Sequence, residues 1–62
     1  MFIKGDPITA VSKALPKLSY SGIVKVAIRD GIADYYSFED PMLHVTYTVS
    51  TEFFDILDGI GQ

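Results

Sequence analysis

No cysteine occurs in this chain of 62 residues, and that absence constrains the fold more than any residue that is present. A domain this short buries only ~60% of the surface its unfolded chain exposes. Scaffolds of this size usually lean on disulfides, a bound metal or a partner chain. Without thiols, disulfides and thiolate metal sites are excluded, and the single histidine, His44, excludes a multi-histidine site. An efficient core or association with another chain remains. Hydrophobic residues make up 48% of the sequence, within the ~45–50% of ordinary globular domains. A packed core is therefore expected and disorder is not. The length allows a single domain, residues 1–62.

The first residues, Met1-Phe2-Ile3-Lys4-Gly5-Asp6, lack the apolar region of a secretory signal. No stretch approaches the ~18 apolar residues of a spanning helix. Phe2 stands where myristoylation needs glycine, and Gly61-Gln62 close the sequence where prenylation needs a cysteine. The expected setting is a reducing, cytoplasmic one (the host-cell cytoplasm for a viral protein), with no membrane partner.

Five segments can be read along the chain. Asp6-Pro7 suits a helix start, with Asp6 as N-cap and Pro7 at the first helical position. Ile8, Val11, Leu15 and Leu18 then recur near helical spacing, and Pro16 ends the helix near Leu15. Residues 20–29 and 32–37 are rich in residues that favour strands. Asp30-Gly31 between them signals a two-residue hairpin. That turn would pair Arg29 with Ile32, Ile28 with Ala33, Val26 with Tyr35 and Val24 with Ser37. One face would carry Val24, Val26, Ile28, Ala33 and Tyr35. The other would carry Lys25, Arg29, Asp34 and Tyr36, with Ile23, Ile32 and Phe38. Residues 42–49 alternate, with Leu43, Val45, Tyr47 and Val49 on one side, as in a half-buried antiparallel strand. Ser50 or Thr51 would cap a second short helix that buries Phe53, Ile56, Leu57 and Ile60, with Gly59 at its C-terminal end.

The expected fold is therefore α+β, in the order α-β-β-β-α: a three-stranded antiparallel meander with two short helices packed on one face. The core would hold Ile8, Val11, Leu15, Val24, Val26, Ile28, Tyr35, Leu43, Val45, Tyr47, Val49, Phe53 and Leu57. The opposite sheet face would stay open.

No catalytic constellation emerges. His44 lies between residues that offer it no catalytic partner. Gly22 is not followed by the Gly-Lys-Ser of a phosphate loop, and Asp55-x-x-Asp58-Gly59 lacks the pattern of a calcium loop. The expectation is a non-enzymatic chain without cofactor, metal or catalytic residues.

Charge is distributed unevenly. Residues 1–29 hold all five bases and one acid, a net +4. Residues 30–62 hold seven acids and no base, −7, which gives the total of −3. Such asymmetry between halves points to an interaction surface. On a second helix, Glu52, Asp55 and Asp58 would form a stripe, with Asp34, Glu39 and Asp40 elsewhere on the acidic face. Lys13, Lys17 or Lys25 could instead fold across and neutralise the stripe. On the open sheet face, Ile23, Tyr36 and Phe38 would supply an apolar anchor.

These features point to a protein-binding module whose partner has a basic surface. Such surfaces are commonest on proteins that handle nucleic acid. An inhibitor of such a complex, of the viral anti-host or anti-CRISPR kind, is the leading expectation. A small structural or accessory subunit is the alternative, with a homodimer possible because a C2 pair could bury the open face. The element order is similar to that of double-stranded RNA-binding domains. Those place lysines at the start of their last helix, where this chain has Ser50-Thr51-Glu52. Together with a pI near 4.7, that argues against direct nucleic-acid binding.

Overall fold

The computed structural model describes residues 2–59. It is all-β, which overturns the expected α+β arrangement. Five antiparallel strands, β1 (Pro7–Ser12), β2 (Ser19–Asp30), β3 (Ala33–Asp40), β4 (Val45–Ser50) and β5 (Phe54–Asp58), form one sheet in the order β4-β3-β2-β1-β5. The expected meander is present as β2-β3-β4. The two expected helices are the strands β1 and β5, which pair with each other. With them goes the likeness of element order to double-stranded RNA-binding domains.

Both reassignments have a local cause. Ile8-Thr9-Ala10-Val11 satisfies a strand period as well as a helical one, and short apolar runs do not distinguish the two. As β1, it turns Ile8 and Ala10 inward, both fully buried. Asp6 caps no helix. Its carboxylate accepts from the Ile3 amide at 3.0 Å, and its carbonyl accepts from Val24 at 2.9 Å, so residues 3–6 make a turn that leads into the sheet. In β5 the alternation Phe54, Ile56 against Asp55, Leu57 wins over the helical reading. The expected packing of Ile60 lies outside the described residues.

The connection between β4 and β5 dictates the shape. These strands occupy opposite edges of the sheet, and residues 51–53 alone join them. In a flat sheet the two edges would lie ~19 Å apart, four spacings of ~4.8 Å. Four residue steps reach at most ~14 Å. The sheet must therefore curl until its edges approach. The link is not even extended: the Phe53 amide donates to the Ser50 carbonyl at 3.0 Å. It is fastened at both ends. Thr51 exchanges bonds with Asp34, amide to carbonyl at 2.9 Å and Oγ1 from the Asp34 amide at 3.0 Å. The Lys13 amide donates to the Phe53 carbonyl at 3.0 Å.

Curling lets a single sheet enclose its own core. The inner face carries Ile8, Ala10, Val24, Tyr36, Phe38 and Val49, with Phe2, Tyr20, Tyr47, Phe54 and Ile56 packed around them. Tyr20 sits on β2, two strands away from both β4 and β5. Alternate strands of a flat sheet are ~9.6 Å apart. Here the Tyr20 ring lies 4.8 Å from Tyr47 and 6.3 Å from Phe54, measured between centroids. Tyr47 in turn meets Phe38 at 5.5 Å, and Phe2 stands edge-on to Tyr36 at 6.2 Å.

Two details depart from the expected hairpin, and the second redistributes its faces. The β2–β3 loop is Gly31-Ile32 rather than Asp30-Gly31, since Asp30 pairs with Ala33. Positive φ at Gly31 but not at Ile32 fits a turn with glycine at its first central position. A β-bulge at Lys25 then inserts one residue between Val24 and Val26. Before the bulge Tyr20, Gly22 and Val24 point inward. After it Ala27 does, while Val26 and Ile28 share the outer face with Tyr35. So Val26 and Ile28, expected in the core, are exposed, as are Leu15, Leu43, Val45, Phe53 and Leu57. Residues 42–44, expected to begin a strand, form the β3–β4 turn together with Pro41, with His44 in the left-handed region at φ 57°.

Gly22 faces the inner side opposite Ile8, under the Phe38 ring. A Cβ there would lie 2.5 Å from the Glu39 carbonyl oxygen and 2.9 Å from the ring. Gly22→Ala is expected to lower unfolding free energy by about 2–3 kcal/mol, measured by urea titration. Thr51→Val keeps the shape but orphans the Asp34 amide. It should cost about 1–3 kcal/mol in the same assay.

Candidate functional site

The acidic stripe expected on a second helix does not form. On a strand, residues three apart point to opposite faces. Asp55 points outward beside Val11, and Asp58 lies opposite Ile8 on the inner side of the sheet. Glu52 is in the link before β5, its amide bonded to Ser50 Oγ at 3.1 Å. The remaining acids have local roles. Lys25 Nζ meets Glu39 at 3.3 Å, since alternation from the inward Val24 places Lys25 on the outer face that Glu39 shares with Ile23. Arg29 meets Asp34 at 3.5 Å across the hairpin. The Asp40 carboxylate accepts from the amides of Met42 at 2.9 Å and Leu43 at 3.3 Å, closing the turn after β3 as short acidic side chains do.

The expected apolar anchor fares differently. Tyr36 is 3% exposed and Phe38 is fully buried. Both rings belong to the core and cannot meet a partner. Ile23 is half-buried on the outer face, between Pro7 of β1 and Glu39 of β3.

Apolar residues, three of them (Leu15, Phe53 and Leu57) expected in the core, make the more prominent surface. The β1–β2 loop, residues 13–18, is ordered by its own bonds: Ser12 Oγ accepts from Leu15 at 3.1 Å, and the Leu18 amide donates to the Leu15 carbonyl at 2.8 Å. This rigid loop nonetheless presents Leu15, 60% exposed, and Leu18 to solvent. The Lys13–Phe53 backbone bond brings the 51–53 link alongside it. Phe53 there is 62% exposed, and Leu57, further along β5, is also exposed. Asp55 lies between Phe53 and Leu57, on the same outer side as Leu57. Lys13, Lys17 and Glu52 are exposed around the group. Leu15, Leu18 and Phe53 thus lie at the Ser12 end of β1, where the loop and the link meet, and Leu57 stands further along β5 beside Thr9, with exposed charge of both signs nearby.

The sequence carried one signal for this surface. In the run Glu52-Phe53-Phe54-Asp55-Ile56-Leu57-Asp58, period-two reading separates Phe54 and Ile56 from Phe53, Asp55 and Leu57, while the acids fall on both sides and do not mark which is wet.

Among the described residues, a concavity of about 200 Å³ is lined by Pro7, Ile8, Ser21, Gly22, Ile23, Asp40, Pro41 and Gly59. Ligand pockets generally need ~300 Å³ or more. Among the described residues no three His, Asp or Glu side chains gather as around a metal ion. With the surface thus defined, comparison with models of known protein families, with curated proteins and with solved structures found no match.

The Lys25–Glu39 pair is solvent-exposed at one partner and partly covered at the other, so its net contribution is small. Glu39→Gln should change unfolding free energy by less than about 1 kcal/mol, in thermal or urea melts.

Proposed function

We propose that this chain is a non-enzymatic protein-binding module that docks through the surface of Leu15, Leu18, Phe53 and Leu57. The observation that supports this reading is the exposure of those four side chains on backbone that is firmly held. In so short a chain, apolar side chains are needed inside. Placing a phenylalanine and three leucines outside, on bonded loops and on β5 rather than on a loose tail, suits an apolar contact area. Aromatic anchors of this kind dominate binding energy in protein interfaces.

Glu52 and Asp55 flank Phe53, so the preferred partner offers an apolar groove with a basic rim. Charges at such a rim act mainly on association rate and on partner choice. A basic rim is the common character of proteins that bind phosphate backbones. On this reading the chain acts as an inhibitor of a nucleic-acid-handling complex in the cytoplasm. Wholesale mimicry of a duplex is not part of the proposal, because a net charge of −3 is mild and four of the seven acids in residues 30–62 are engaged in local pairs, a turn or the inner side of the sheet.

Affinity capture from host lysate with immobilised wild type, L15S/F53S and E52K/D55K chains tests the reading. The first variant should lose a captured protein at least tenfold, a loss of roughly 1.4 kcal/mol or more. The second should weaken capture chiefly at low salt. Equal recovery by all three, with native circular dichroism, would rule the surface out.

A further inference from the structure

We propose that two copies of this chain join edge to edge through β4, as an antiparallel pair centred on Tyr47. The inference is independent of the Phe53 surface and starts from the two open edges of the sheet. An edge strand with free backbone groups is a template for another strand, and proteins normally guard it with charge, proline or a bulge. β5 carries Asp55 and Asp58. β4 reads Val45-Thr46-Tyr47-Thr48-Val49-Ser50, with no charge, no proline and an unbroken register against β3.

The sequence of that edge is also its own mirror. From Val45 to Val49 it reads the same in both directions about Tyr47. A two-fold axis through Tyr47 therefore sets Val45 against Val49 of the other copy, Thr46 against Thr48, and Tyr47 against Tyr47. Threonine against threonine and β-branched pairs are favourable cross-strand combinations. Self-complementarity of this kind is what a closed two-fold interface demands.

The hydrogen-bond phase agrees. Thr51 donates to the Asp34 carbonyl, so Thr51 turns its backbone toward β3. Along an antiparallel ladder, successive residues turn their backbone groups to opposite sides. Val45, Tyr47 and Val49 therefore also face β3, and Thr46 and Thr48 direct their N–H and C=O groups outward. Thr46 and Thr48 of one copy would exchange bonds with Thr48 and Thr46 of the other, and the two Tyr47 residues would form the close, non-bonded pair between them. Both threonine side chains are exposed on the outer face. The product is a continuous ten-stranded sheet with each curled core intact.

Sedimentation velocity and amide exchange test this. The wild-type chain at high micromolar concentration should sediment at twice the mass of one chain. T46K/T48K sets lysine against lysine across the axis, as T46E/T48E sets glutamate against glutamate, and each alone should be monomeric with a wild-type circular dichroism spectrum. An equal mixture of the two should regain the double mass. In the wild type, amides of Thr46 and Thr48 should exchange slowly when concentrated and lose protection by about tenfold or more on dilution, a readout that stands even if a variant fails to fold. A monomeric wild type, a dimer indifferent to T46K/T48K, or Thr46 and Thr48 amides equally exposed at every concentration would each overturn the proposal.

Discussion

A three-residue link joins strands from opposite edges of the sheet, and the remaining architecture follows from it. Residues 51–53 cannot cross the width of a flat five-stranded sheet, so β4 and β5 must be brought round toward each other. The link is short because it is a turn, with Phe53 bonded back to Ser50. It is firm because Thr51 grips Asp34 on β3 while Phe53 holds Lys13 at the end of β1. Curl is thus enforced by chain connectivity and maintained by hydrogen bonds that tie both edges to the middle of the molecule.

Curl also answers how so small a chain makes a core without a disulfide or a second layer. A flat sheet of this length would leave one face wet. Bent over, the inner face becomes a packed interior in which Tyr20 touches residues of both outer strands. Tight curvature needs places where backbone comes close to side chain. Gly22 provides one under Phe38, and the bulge at Lys25 provides another by adding a residue to β2 where the strand bends. The inner volume is small and the aromatics fill it. The leftover apolar side chains, Leu15, Leu18, Phe53 and Leu57 among them, are left outside.

Some of this was legible in the sequence. A hairpin between β2 and β3 is signalled by Asp30-Gly31, one residue before the actual turn, and simple alternation puts Tyr47 and Val49 on one side. The helices failed for a reason specific to short segments. Ile8-Thr9-Ala10-Val11 and Phe53-Phe54-Asp55-Ile56-Leu57 fit both periods, and Asp6-Pro7 and Ser50-Thr51 look like helix starts whether or not a helix follows. Pairing between β1 and β5, distant in sequence, decides the matter, and no local signal reports it. The bulge was equally invisible. One extra residue at Lys25 moves Val24 to the side of Phe38 and puts Val26 and Ile28 on the other, which converts Tyr36 and Phe38 from expected anchors into core. The acidic stripe failed with its helix, because spacing of three joins side chains on a helix and separates them on a strand.

The functional reading changes accordingly, from an acidic face to an apolar surface with charged borders, and it rests wholly on the curled sheet. That sheet is tested most directly by nuclear Overhauser spectroscopy on the Tyr20 ring. The account requires cross-peaks from that one ring to both Tyr47 and Phe54, together with cross-strand contacts between Ala10 and Ile56. A Tyr20 ring that meets only one of the two partners, or helical contacts between residues three apart across 7–15 or 51–58, would contradict it.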